Sequence, residues 1–225
     1  DPPEWVAEFP ESKKFENRRN ITKSAVEGGT WWLEHSGKID DVWEAEKARD
    51  ELIRINFGWW HYVKNIWSGK EFAKNFRLIY VPFINGKRES RRLLGDYVLT
   101  QNDAKKGRYF SDTVTHGGWP IDVHHPEGVF STESPSAISH AYQTRIPVIK
   151  IPFRSLYSRN ISNLLMAGRN MSCTHIALGT VRIEGTCATT GQAAGTGAAL
   201  AVRHNTTLRG IYKNHLHELQ QTLLK

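Results

Sequence analysis

The chain has 225 residues, with 30 Lys and Arg against 23 Asp and Glu for a formal net charge of +7. That length buries a substantial core and suggests one to two domains, while no unbroken apolar run approaches the ~20 residues of a transmembrane helix, so no membrane partner is expected. The basic residues are interspersed with acidic ones and are not threaded with aromatics as a single-strand groove would be, so no nucleic acid partner is expected.

Asp1 to Glu27 is polar, charged and Pro-containing, and reads as irregular or partly strand. Thr30-Trp31-Trp32-Leu33, within Gly29 to His35, reads as a strand. From Asp40 to about Ile66 apolar residues recur every three or four positions (Val42, Ala45, Ala48, Leu52, Ile55, Trp59, Val63, Ile66), which predicts a long helix. Asp41 with Glu44 resembles a capping box at its start. Leu78 to Ile84 is a strand candidate that Pro82 places at a sheet edge, and Gly95 to Gln101 is a second short strand. Gly117 to Gly128 is a loop rich in Gly, Pro and His, and Tyr142 to Ile151 looks extended.

The last third is more specific. Asn163 to Ala167 is a run ending at Gly168, short enough for a buried strand. Thr186 follows Gly185 where a helix N-cap would stand. The helix after it is built from small residues: Ala188, Gly191, Ala194, Gly195, Ala198 and Ala199. A glycine inside a helix costs about 1 kcal/mol against Ala. The pattern predicts that something approaches this backbone closely, either a neighbouring strand or helix or a flat ligand on the helix N-terminus. That terminus carries unpaired N–H groups and a partial positive charge, which favour anionic ligand atoms. Leu208 to Leu224 closes the chain as an amphipathic helix with Leu208, Ile211, Leu216, Leu219 and Leu223 on its apolar side. The two cysteines, Cys173 and Cys187, form no C-x-x-C and cannot supply a four-cysteine cluster; they read as reduced, packed side chains.

The segments Asn163-Leu-Leu-Met-Ala-Gly-Arg-Asn-Met-Ser-Cys-Thr-His175, Gly179-Thr-Val-Arg182 and Thr186-Cys-Ala-Thr-Thr-Gly-Gln-Ala-Ala-Gly195 together resemble the C-terminal FAD-binding segment of the FAD-dependent oxidoreductases. In that family a strand ending in Ala-Gly-Arg is followed by Ser-x-Thr-His, a Gly-(Ser/Thr)-x-Arg turn and a Thr-Cys-Ala-x-x-Gly-Gln-Ala-Ala-Gly helix. Gly86-Lys-Arg-Glu-Ser-Arg-Arg-Leu-Leu-Gly-Asp96, Gly118-Trp-Pro-Ile-Asp-Val-His124 and Ile151-Pro-Phe-Arg-Ser155 look like the middle region of the same family. The resemblance runs from about Gly29 onward. A G-x-G-x-x-G turn, which would hold the cofactor pyrophosphate, occurs nowhere in the sequence, and the chain begins with Asp1. The expectation is therefore the C-terminal part of a longer flavoenzyme. Its missing N-terminal FAD-binding half would come from the same gene or another chain. No leader peptide is readable, and the compartment stays open.

The resemblance implies a mixed α+β and α/β fold: residues 1–145 as a substrate-facing α+β region, and residues 146–225 as the C-terminal lobe of a FAD/NAD(P)-binding-type domain. It implies FAD as cofactor and a small-molecule substrate oxidised by hydride transfer to flavin N5. Gly168, Arg169, Gly185, Thr186, Cys187, Gly191 and Gln192 are the expected cofactor-binding residues. His175 could orient substrate or move a proton near neutral pH, or could be a hydrogen-bonded structural histidine. Arg182 could bind an anionic substrate bidentately or anchor the turn to an acidic residue. These two are the catalytic candidates. Arg91, Asp122 and His124 are the substrate-binding candidates. Arg88, Glu89, Arg91 and Arg92 read either as a solvated face with internal ion pairs or as an electropositive wall. Asp122, His124 and His125 fit no zinc spacing, so no metal is expected. The alternative function is a cofactor-free degenerate relative acting as a binding module for anionic ligands.

Overall fold

A computed structural model describes residues 2–11, 15–16, 19, 21–30, 33–35, 37–131 and 145–225. The chain folds into two compact units, one from Asp1–Lys87 and His124–Ala141, the other from Arg88–Val123 and Tyr142–Lys225. The architecture is α+β. Among the described residues no helix is long and apolar enough to cross a membrane.

The first unit is organised by one long helix. α1 (Lys23–Gly28) is short, α2 (Ala45–Asn65) spans 21 residues, and α3 (Lys70–Ala73) is a single turn. The apolar period of α2 puts Ala48, Ile55, Trp59, Tyr62 and Val63 on its buried side. Phe9 and Phe15 meet that side, with Phe9 edge-on to Trp59 at 5.8 Å and Trp59 stacked on Tyr62 at 5.7 Å between centroids. The start differs from expectation. The Asp40 carboxylate, not that of Asp41, accepts from the N–H groups of Val42 (2.9 Å) and Trp43 (3.1 Å), while Glu44 reaches back to the Asp40 N–H (3.2 Å). Asp40 and Glu44 thus close a turn that precedes the helix, so the helix begins at Ala45.

Leu78 to Ile84 is not a strand. No bridge partner faces it among the described residues, and Ile79 and Ile84 stand 82% and 71% exposed. A β-prone run without a partner cannot form a ladder. The strand expected at Gly29 to His35 rests on Trp31 and Trp32, which lie outside the described residues; Leu33 to His35 is irregular.

The second unit holds α4 (Gln101–Lys106), β1 (Thr113–Gly117), β2 (Ile149–Pro152), α5 (His175–Val181), α6 (Glu184–Arg203), α7 (Leu208–Asn214) and α8 (Leu216–Leu223). β1 and β2 pair antiparallel, with an irregularity between Thr113 and Thr115. α6 lies across β1, α7 and α8. Leu99, Ile121, Ile149, Ile151, Phe153, Leu178, Ile211 and Leu219 form the centre of the core. α4 starts at a complete capping box, Thr100 with Asp103. Asp112, fully buried, takes both Arg154 Nε and Nη2 at 2.9 Å, and the guanidinium lies between the rings of Tyr97 and Tyr212.

Four expectations are corrected here. Gly95 to Gln101 makes only isolated bridges, at Gly95 to Ser158 and Leu99 to Cys173. Asn163 to Ala167 is no buried strand: only Leu165 bridges, to Tyr157, and only Met166 is buried. Single bridges suffice there because core side chains, not a ladder, hold these segments. α6 begins two residues before Thr186, with Ile183 at the N-cap. The C-terminal helix is two helices, broken at His215. Of the expected extended stretch Tyr142 to Ile151, residues 142–144 lie outside the described residues, and the part from Ile149 is β2.

Candidate functional site

The family-like motifs converge around α5. Thr174 caps this helix, its hydroxyl accepting from the Ala177 N–H at 3.4 Å. His175 is the first helical residue. Its Nδ1 lies 2.7 and 2.8 Å from the two oxygens of Glu89. Arg92 pairs with the same carboxylate and donates from Nε to the Cys173 carbonyl at 3.0 Å. Burial acts against the Glu89 charge, but His175 and Arg92 together hold its carboxyl below the ordinary range. The hydrogen bond that His175 donates to Glu89 raises the ring above its usual value, against the opposing effect of burial. The pair therefore favours the protonated ring more than an isolated histidine does. The charged cluster at Arg88 to Arg92 includes an internal ion pair.

At the other end of α5, Arg182 Nη2 donates to Asp122 Oδ2 at 2.9 Å and to the Asp122 carbonyl at 3.4 Å. Both side chains are nearly buried, 15% and 10% exposed. The Trp119 indole N–H points at the same carboxylate oxygen from 3.5 Å, a weak contact. Thr180 donates its hydroxyl to the Trp119 carbonyl. Gly179 makes this seating possible: a Cβ there would lie 2.8 Å from the Asp122 carbonyl oxygen. The loop carrying Trp119 and Asp122 thus rests directly on the backbone of α5.

Gly168 joins the turn before α5 to α6. It holds φ +70°, a left-handed conformation that glycine adopts without strain. Its N–H donates to Thr190 Oγ1 at 2.9 Å, and a Cβ there would meet Cys187 at ordinary contact distance, 3.5 Å. Cys187 in turn points its thiol at the Arg182 carbonyl, 3.4 Å away. Burial raises Cys187, with Arg169 pulling it back in part, and burial pushes Cys173 up to about 12. Both thiols are free, and burial disfavours the thiolate at each.

The start of α6 is open. Ile183 offers no side-chain cap, so the first N–H groups have no capping acceptor from that residue. Thr186 is buried inside the first turn. A Cβ at Gly185, Gly191 or Gly195 would meet no atom within 4 Å, and Gln192 beside them is exposed. Of the two occupants weighed for this face, a strand or helix of this chain does not approach Gly191 or Gly195 among the described residues. The close approach on α6 is at Gly197, where a Cβ would stand 2.8 Å from the Phe153 ring.

Of the sequence-derived residues, the structure brings together Asp122 with Arg182, and Gly168 with Cys187. Arg169 and Arg91 are exposed. His124 lies in the first unit, its Nδ1 2.6 Å from Glu34 Oε2. Glu89 was read only as part of the charged cluster, and Gly179 and Thr190 only as members of motifs; none was given a role of its own from sequence. Glu89 carried a signal, as the one acid among Arg88, Arg91 and Arg92. Thr190 carried none, because a threonine inside a helix is ordinary.

A model of the FAD dependent oxidoreductase family matches residues 4–223. The chain belongs to this family. The match takes in nearly the whole sequence, including the residues before Gly29 that carried no resemblance by eye. Membership makes the protein a flavin-dependent oxidoreductase in general terms, with FAD as the family's cofactor. No curated protein and no solved structure matches the chain.

Proposed function

We propose that this chain supplies the substrate-facing region (residues 1–145) and the C-terminal lobe of the FAD/NAD(P)-binding-type domain (residues 146–225) of a larger enzyme. The enzyme would oxidise a C–H bond beside an OH or amine on a small-molecule substrate. One observation carries the reading: the first half of α6 combines an N-terminus without a side-chain cap with an open face of small residues. Such a surface accepts a flat, partly anionic group at close range.

The donor set fits FAD on that ground. Gly185, Thr186, Gly191 and Gln192 would border it, with Gly168, Arg169 and Cys187 at the neighbouring turn. When bound, FAD supplies a two-electron acceptor for a hydride. The chain's own residues then hold the surroundings. The α6 N–H groups stabilise negative charge at the N-terminal end of that helix. The His175–Glu89 pair holds a proton, and His175 is the group proposed to exchange it with the substrate OH or amine. Arg182, tied to Asp122, keeps the Trp119 loop in place while presenting positive charge. Arg91, Asp122 and His124 are the proposed substrate-facing side chains. The phosphate-binding half with its G-x-G-x-x-G turn would come from residues outside this sequence, in the same product or another chain.

The test is Gly191→Leu in the complete protein, read by bound FAD per chain and by circular dichroism. No atom lies within 4 Å of the added Cβ, so the variant should keep its helical signal. Loss of FAD with the fold intact is the expected result. Unchanged FAD content would sink the reading.

A further inference from the structure

The far end of α6 carries a second cluster of ligand-type side chains that the flavin reading does not use. We propose that His204, His215 and Glu218 bind one divalent transition cation of zinc-like chemistry, tying the C-terminal end of α6 to the junction of α7 and α8. Each residue offers one ligand atom, and these atoms all lie within 4.8 Å of one another. His204 Nε2 is 2.7 Å from Glu218 Oε2, and His215 Nδ1 is 3.9 Å from the same oxygen. The two imidazoles stack with centroids 3.8 Å apart and planes within 17°.

The backbone places each ligand. His204 is the residue that ends α6, His215 stands between α7 and α8, and Glu218 lies in the first turn of α8. All are partly buried, with side chains 27%, 29% and 37% exposed, so the site is fixed on one side and open to a solvent ligand on the other. Arg203 reaches the other Glu218 oxygen, Oε1, at 3.4 Å, which steadies the carboxylate and leaves Oε2 toward the rings.

Two imidazoles and a carboxylate are a three-residue zinc set that leaves the fourth position to water. Imidazole also suits copper, nickel and iron, but not calcium or magnesium. Metal–ligand bonds of about 2.0–2.1 Å set tetrahedral ligand atoms about 3.3 Å apart, and the two observed separations bracket that value. The stacked rings must turn out of parallel for both nitrogens to face one ion. The negative end of α6 favours a cation there. A helix of 20 residues is about 30 Å long, so this site is remote from the start of α6 and its role is to staple helices, not to join the oxidation.

The test uses the complete protein, freed of metal by a chelator, titrated with Zn2+ and with Co2+ as a spectroscopic probe. One equivalent of Co2+ should bind with the visible absorption of a four-coordinate site, and Zn2+ should raise the melting midpoint. His215→Gln and Glu218→Gln should each weaken binding by about 10- to 100-fold or more, a loss at least as large as that of an outer partner. His217→Gln, on an exposed neighbour, should leave binding unchanged. Should the His215 variant fail to fold, the near-isosteric Glu218→Gln carries the comparison. No saturable one-equivalent binding, or equal affinity in the Glu218→Gln protein, would overturn the proposal. FAD content is not among the readouts, so this outcome is independent of the flavin reading.

Discussion

Arg182 and Asp122, sixty positions apart in sequence, are joined by a 2.9 Å ion pair. Each was singled out from sequence for a separate role, yet neither is a lone charge. Arg182→Ala removes the cation from a nearly buried carboxylate and should cost about 3 kcal/mol of stability. In a double variant with Asp122→Ala the loss should be well below the sum of the single losses. Urea denaturation midpoints measure both; strictly additive losses would mean the two side chains do not act as a pair.

The glycines of this region separate into two kinds. Gly179→Ala drives a Cβ to 2.8 Å from a backbone oxygen that cannot rotate away, and should cost about 1–3 kcal/mol. Gly191→Ala meets empty space and should stabilise flavin-free protein by up to about 1 kcal/mol, the helix-propensity gain. Thermal melts of the flavin-free variants distinguish these opposite signs. A shared sign for the two would contradict the placement of α5 against the Asp122 loop.

His175 should titrate above its ordinary value of about 6.5, because Glu89 stabilises the charged ring. Its contribution to stability is then complete below about pH 6.5 and fades as pH rises through the raised value. With 56% of the side chain exposed, solvent screens that contribution, so ring titration is a better readout than melting. Glu89→Gln should bring the His175 titration, followed by NMR of the ring protons, back toward the ordinary value. An unchanged midpoint would mean that Glu89 does not control the proton.

Thr190→Val removes the acceptor of the Gly168 N–H and keeps the side-chain shape. The expected loss is about 1 kcal/mol, with faster amide exchange at Gly168. Thr190→Ser, which keeps the hydroxyl, should restore slow exchange.

Local periodicity was enough to read α2. Its apolar residues recur at helical spacing, and a helix 21 residues long repeats that signal many times. α6 was legible from its run of small residues and the family motif, though its start lies two residues earlier than Thr186 suggested. The family was legible too, because its motifs are short, ordered and dense in unusual residue types. The strands were not. Leu78 to Ile84 and Asn163 to Ala167 have strand-like composition, but a strand exists only with a partner, and partners are chosen by distant chain.

What the sequence determined by itself, then, is the set of helices that local spacing repeats and the family to which the motifs belong. Only the tertiary structure decided that Arg182 meets Asp122, that Glu89 holds His175, and that within α6 it is Gly197, not Gly191 or Gly195, that a neighbouring side chain presses. It alone brought His204, His215 and Glu218 to one point, across a break at His215 that a continuous apolar period concealed. The physical reason is range. Helical order follows from residues three and four apart, whereas ion pairs, close glycine contacts and ligand clusters depend on which segments the core draws together.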